Sequence, residues 1–294
     1  KGVPVAAVGV DNSANAAWLA LRILGVAGRS PPLRQERALD IAALVPLVGW
    51  SGKTKTLFST HAVDVLLMRF NDDVTANNGA KHEVMAGKGV AGCTFNRMVM
   101  ELLAKRGVPT HYLGPGPGLN TAAVQRLTMI PLECVVRNRA AGSFCRRLGV
   151  DKGHAFGAPL YELFYKSDEL DDPLVTESTA VAMGWAKRRE LDNMRTTTLR
   201  VNAVVGELLR DHGMELVDFK IEFGFNGKGE LMVGDEFSPD SCRIWDVATG
   251  ESLDKDLFLQ GRGGFMEACQ EVLGRVADGG VAGGGSEGAE AQQT

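Results

Sequence analysis

Between Val217 and Glu236 the chain carries a pattern that leaves little choice of local structure. Val217, Phe219, Ile221 and Phe223 recur at every second position, with Asp218, Lys220 and Glu222 between them. An extended strand sorts these into one apolar and one charged face, whereas a helix would scatter both sets around its axis. Asn226-Gly227 supplies a turn signal, and Leu231-Met232-Val233-Gly234-Asp235-Glu236 follows, so the two segments are expected to pair as a hairpin. Such a hairpin gathers carboxylates from both arms. They repel unless a cation lies among them, and Mg2+, which takes one or two carboxylates plus phosphate oxygens, suits the group. A salt-bridged strand face in solvent is the competing reading. Ser238-Pro239-Asp240-Ser241-Cys242-Arg243 comes next and sets Asp240 and Arg243 beside the same hairpin.

Two basic segments lie upstream. Gly52-Lys53-Thr54-Lys55-Thr56 invites a phosphate-loop reading, but that motif needs a glycine at position 47, which is Leu47. A strand or hairpin with Lys53 and Lys55 on one face is the alternative. Two neighbouring ammonium groups make sense around a polyphosphate, and a solvated strand face accounts for the spacing equally well. In the second segment an apolar strand from Ile130 delivers Arg137 and Arg139 to Ala140-Ala141-Gly142-Ser143. There Ser143 and backbone N–H groups could hold an anion. Two separate basic corners imply two anionic ligands or one long one, set against the ordinary use of arginine in ion pairs. The five histidines show no metal-ligand spacing.

A length of 294 residues suggests two lobes, and 45% apolar with 23% charged residues is the composition of a globular protein. The net charge of −4 offers no global basic field for a nucleic acid or an anionic membrane, so neither is expected as a partner. Five scattered cysteines without a C-x-x-C pair fit a reducing, cytoplasmic compartment. Homo-oligomerisation is left open. Residues 1 to 45 are read as an N-terminal extension; their scarcity of acids resembles a transit peptide, which leaves plastid-type import open, although a helix packed on the body fits equally well. Residues 46–130 are expected to form an N-terminal lobe carrying the lysine segment and 131–273 a C-terminal lobe carrying the carboxylate hairpin, with 274–294 a disordered tail. Within the lobes, Val65 to Phe70 reads as a strand and Asn77-Asn78-Gly79 as a turn. Helical periods run from Phe95 through Leu103 and from about Lys187 to His212, where Leu191, Met194, Val201, Val205 and Leu208 share a face. Strands and helices mix without a βαβ rhythm, so an α+β fold with largely antiparallel sheets is expected.

Taken in order, these motifs resemble the SAICAR synthetase family. The resemblance runs from about Gly52 to Gly261 and rests on Gly52-Lys53-Thr54-Lys55, Asp72-Asp73-Val74-Thr75-Ala76, Gly87-Lys88-Gly89, Val136 to Ser143, Asp171-Asp172-Pro173, Leu216 to Gly224, Gly234 to Asp240, Arg243 to Asp246 and Asp254-Lys255-Asp256. It implies a two-lobed fold related to ATP-grasp ligases, with ATP in the interlobe cleft. The implied activity is an ATP-dependent ligase of purine biosynthesis that joins L-aspartate to 5-amino-1-(5-phosphoribosyl)imidazole-4-carboxylate through an acyl phosphate. Carried over residue by residue, Lys53 and Lys55 would contact the ATP phosphates and Glu222 with Asp235 would hold Mg2+. Arg137, Ser143 and Arg243 would bind the ribose 5-phosphate, and Lys220 and Asp240 would face the imidazole and its carboxylate. Val90 to Thr94 departs from the family pattern, which usually has asparagines there. A kinase-like phosphotransferase or an inactive nucleotide-binding relative would use the same lysines and carboxylates. Neither needs an amine site, and no H-R-D or D-F-G set is present.

Overall fold

The computed structural model describes residues 40–41, 44–76 and 81–279. The N-terminal extension up to residue 39, the turn at Asn77-Asn78-Gly79 and the tail beyond Gly279 lie outside the described residues. From Ile41 onward the chain forms a single unit. It opens with β1 (Gly49–Ser51), β2 (Lys55–Ser59) and β3 (Val65–Phe70), then a separate hairpin of β4 (Asp73–Ala76) and β5 (Lys81–Val84), helix α1 (Lys88–Lys105), and β6 (Tyr112–Pro115) and β7 (Thr121–Gln125). Five of these strands make an antiparallel sheet in the order β1-β2-β3-β7-β6. Helix α1 starts a full two turns before the periodic signal at Phe95. Its first turns hold small residues packed against β3, where a Cβ on Gly89 would come within 2.4 Å of the Phe70 carbonyl oxygen. Small residues allow the close approach but leave no apolar period to read.

The second sheet is built from β8 (Thr128–Arg139), β9 (Ala155–Tyr165), β10 (Leu174–Val175), β11 (Met214–Phe225), β12 (Leu231–Gly234) and β13 (Cys242–Asp246), and its path runs β10-β9-β8-β11-β12. Helix α2 (Ser143–Leu148) follows β8, while α3 (Glu177–Ala182) and α4 (Arg188–Asp211) lead into β11; α5 (Asp256–Leu259) and α6 (Phe265–Gly279) close the described chain. α6 continues past the 273 boundary drawn from composition. Every strand pair is antiparallel, as the α+β reading requires. Among the described residues no helix is long and apolar enough to cross a membrane.

The central strand β11 is covered on both faces. Helix α4 packs on β11 and β8, burying Leu191, Met194, Val201, Val205 and Leu209 against Phe219, Ile221 and Phe223. Leu209 takes the inward place expected of Leu208, which is half-buried. The opposite, charged face of β11 is equally withdrawn from water, with Asp218 3% and Glu222 2% exposed. Carboxylates so buried must be paired, which rules out a solvated face and directs attention to what covers them.

Candidate active site

Three strands align the charged side chains. In the β8–β11 register Asp218 lies opposite Arg137 and Glu222 opposite Glu133, and alternation along β8 turns Glu133 and Arg137 the same way. On the other edge of β11 two strands lie end to end: β12 pairs with residues 222–225 and β13 with 214–219. Between them residues 235–241 leave the sheet and loop over Lys220, whose backbone N–H donates to the Ser241 carbonyl at 2.8 Å. That excursion brings Asp235 and Asp240 to the charged face.

Around Lys220 a lysine–carboxylate corner forms. Its ammonium donates to Glu222 at 2.7 Å, Glu133 at 3.0 Å and Asp235 at 3.3 Å. Lys55 pairs with Asp235 and reaches Glu236 at 3.3 Å, and Lys166 pairs with Glu222. The facing carboxylates Glu133 and Glu222, which would destabilise a bare strand pair, share one cation. Burial disfavours charge on Lys220, but Asp235, Glu222 and Glu133 outweigh it and raise its pKa; Lys55 is raised in the same way by Asp235 and Glu236. Burial works against ionised Asp235, and Lys55 and Lys220 reverse it, holding the carboxyl well below its ordinary range. All three groups are therefore charged at neutral pH.

An arginine corner lies beside it. Arg137 donates through Nε to Glu162 and through Nη1 to Asp218, each at 2.7 Å, with Nη2 3.5 Å from the Ser143 hydroxyl. Arg243 shares Asp218 at 2.9 Å and donates through Nε to Asp256 at 3.0 Å. Gly142 makes this possible. Its φ of 55° with ψ of −126° is open to glycine alone, and a Cβ there would lie 2.4 Å from an Arg243 nitrogen. A cleft of about 710 Å3 is lined by Glu133, Arg137, Ser143, Lys220, Asp240 and Arg243 together.

The expected residues therefore converge, with one exception. Lys53 lies in the turn between β1 and β2 rather than on a strand, and its ammonium pairs with Asp168 at 2.7 Å, away from the carboxylates that hold Lys55. The same-face argument for the two lysines fails because the strand begins only at Lys55. Asp240 is buried and pairs with Lys88, and with Lys255 at 3.3 Å. Glu133, Lys166, Glu162 and Asp256 were not foreseen as site residues. Glu133 was detectable as the alternate position to Arg137, and Asp256 stood in a recognised motif, whereas nothing local marks Lys166 or Glu162 on or beside β9.

The SAICAR synthetase family model matches residues 49–276, which spans both corners and most of the chain. The chain belongs to the SAICAR synthetase family. It is 48% identical over 231 residues to a phosphoribosylaminoimidazole-succinocarboxamide synthase of Acinetobacter baumannii, covering 77% of this chain and 94% of that one. A Marinobacter nauticus protein of the same name is 48% identical over 227 residues, with 77% and 95% covered. Among solved structures, a SAICAR synthetase in complex with ADP superposes with a TM-score of 0.76 at 38% identity, over 79% of this chain and 98% of that one. The Ehrlichia chaffeensis enzyme gives 0.76 at 34%, over 78% and 97%. As a SAICAR synthetase family member the chain is an ATP-dependent ligase of purine biosynthesis, and the kinase-like alternative is not favoured.

Proposed function

We propose that the cleft joins L-aspartate to the carboxylate of 5-amino-1-(5-phosphoribosyl)imidazole-4-carboxylate while ATP is cleaved to ADP and phosphate. A carboxylate is a poor electrophile. Its oxygen first attacks the γ-phosphorus and ADP leaves; the aspartate amine then attacks the acyl carbon, phosphate leaves and one amine proton is lost. In chemistry of this kind the protein chiefly positions reactants and neutralises charge. Lys55 and Lys53 contact the nucleotide phosphates; Arg137, Arg243 and Ser143 hold the ribose 5-phosphate; Lys220 and Asp240 face the imidazole and its carboxylate. The observation that carries this reading is Lys220, whose ammonium both lines the cleft with the two arginines and bonds Glu222 and Asp235. Lys220 thus lies between the end proposed to hold the ribose phosphate and the end proposed for phosphoryl transfer.

Glu222 and Asp235 are the residues to hold Mg2+. They offer hard oxygen donors beside the ammonium of Lys220. That donor set fits a cation that takes two carboxylates and completes its shell with phosphate oxygens. When bound, Mg2+ neutralises charge on the phosphates. The test is ADP release measured with each substrate omitted in turn. Sustained release is expected only with ATP, the phosphoribosyl carboxylate and L-aspartate together; turnover without aspartate would instead support a phosphotransferase.

A further inference from the structure

Asp254 lies beside the arginine corner, and the reaction described so far makes no use of it. Strand β13, which carries Arg243, has β11 along one side. On its other side the chain turns back along it: Ser252 forms an antiparallel bridge with Trp245, and the Leu253 N–H donates to the Ile244 carbonyl at 2.7 Å. At the next residue a side chain takes over from the backbone. One oxygen of the Asp254 carboxylate accepts from the Ile244 N–H at 2.9 Å, and the other accepts from the Asp256 N–H at 2.7 Å.

Those two N–H groups sit at the two ends of Arg243. Ile244 follows it in the strand, so a bond at the Ile244 N–H fixes where the arginine leaves the sheet. Asp256 holds the guanidinium, accepting from Nε at 3.0 Å. Asp254 also starts α5, since its carbonyl accepts from the Leu257 N–H at 3.2 Å, which sets Asp256 as the first residue of that helix. One carboxylate therefore ties the root of Arg243 to the partner of its tip. Asp254 is 0% exposed, and without it both N–H groups would be buried donors lacking an acceptor, a costly state. Burial, with the Asp256 charge beside it, raises the carboxyl to about 6, so it is ionised at neutral pH and both oxygens accept. An amide has a single acceptor oxygen and would turn its own N–H groups toward the second donor.

We propose that Asp254 is a positioning residue for Arg243: it fixes both the backbone from which the arginine rises and the carboxylate that holds its Nε, and so sets where the guanidinium stands in the cleft. It acts through Ile244 and Asp256 rather than on substrate. The assignment rests on the reading of Arg243 as a ligand of the ribose 5-phosphate.

The experiment is a double-mutant cycle of Asp254→Asn with Arg243→Ala, read as the Michaelis constants of all three substrates. A misplacement of about 1 Å in a positioning group can cost about 100-fold. With one of its two hydrogen bonds kept, Asp254→Asn is expected to raise the constant of the phosphoribosyl substrate about 10-fold and to leave those of ATP and L-aspartate unchanged. In the Arg243→Ala background the same substitution is expected to add less than about 2-fold, because no guanidinium is left to place. A residue that only supports the fold would act independently of Arg243, and the two effects would multiply. An unchanged phosphoribosyl constant in Asp254→Asn, an equal rise for every substrate, or the full rise persisting without Arg243 would each overturn the proposal. Should Asp254→Asn melt below assay temperature, Asp254→Ser, which keeps one acceptor in less volume, takes its place with the same expected results. Arg243→Ala alone separates the two readings: if it leaves the phosphoribosyl constant unchanged, the phosphate assignment fails and the role of Asp254 falls with it; if it raises that constant while Asp254→Asn does not, only the role of Asp254 is rejected.

Discussion

The lysine corner and the arginine corner share the sheet formed by β8 and β11 but are held together differently. Around Lys220, the ammonium groups of Lys55, Lys166 and Lys220 face the four carboxylates of Glu133, Glu222, Asp235 and Glu236, and Lys166 is 49% exposed. An ammonium is a point charge on a flexible stem, so it can exchange one oxygen partner for another at little geometric cost. Around Asp218, planar guanidinium groups are fixed by two or more directed hydrogen bonds each, with the Arg137 and Asp218 side chains both 4% exposed. Their Nη2 ends are the least committed to protein partners. The first corner is suited to ions that arrive and leave during turnover, the second to one anion that must be held in a fixed place.

That contrast can be broken most severely at Glu222 and Asp235, the proposed Mg2+ ligands. Glu222→Gln and Asp235→Asn keep side-chain shape and remove charge, so each is expected to abolish ligase activity, a loss of several kcal/mol in transition-state stabilisation. The Asp235 substitution also keeps a residue type that tolerates the left-handed backbone of this position, where φ is 59°. Near wild-type turnover at ordinary Mg2+ concentration would end the distinction between an exchanging corner and a fixed one.

Asp218→Asn tests the fixed corner. It withdraws the carboxylate shared by two largely buried arginines, and breaking a buried pair in this way costs about 3–5 kcal/mol. A thermal or urea melt should show that loss, whereas a comparable effect from Lys166→Ala would mean that the two corners are equally rigid.

Arg243→Ala separates the ligands. A charge-assisted phosphate contact is worth roughly 1.5–3 kcal/mol, or about 10- to 150-fold in affinity, so the Michaelis constant of the phosphoribosyl substrate should rise while that of ATP stays near its starting value. Arg137→Ala should act in the same direction with a larger stability loss, because Glu162 and Asp218 are left without it. A weakened ATP constant with an unchanged phosphoribosyl one would exchange the two assignments.

The smallest effect is expected at Lys53. Its partner Asp168 is 75% exposed, and exposed pairs contribute about 0.2–1 kcal/mol. Lys53→Ala should therefore leave the melting curve almost unmoved and show its effect in a weakened ATP affinity.

How far the site could be read from the residues follows the same division. The Asp218, Lys220 and Glu222 face was legible because a strand converts sequence alternation directly into a side of the sheet. So was the pairing with Leu231 to Gly234, since a short turn fixes which residues meet. Lys166 and Glu162 were not legible: they reach the site from β9 and the residue after it, through a strand order of β9-β8-β11 that brings Lys166 to Glu222, 56 positions on, and Glu162 to Arg137, 25 positions back. Lys53 misled for the opposite reason, since spacing of two implies a shared face only inside a strand and says nothing inside a turn.

Gly142 carries a consequence for how such a chain can vary. It has no side chain and touches no reactant, yet the space beside its Cα is filled by the Arg243 guanidinium, itself tied to Asp218 and Asp256. Any L-residue at this position meets a forbidden backbone conformation and a displaced arginine at once. A natural variant as mild as alanine would then read, in a growth screen on purine-free medium, like the deletion of a charged residue it does not contain. A position in the arginine corner is thus constrained by the side chain it lacks, and a survey that scored only polar groups would pass over it.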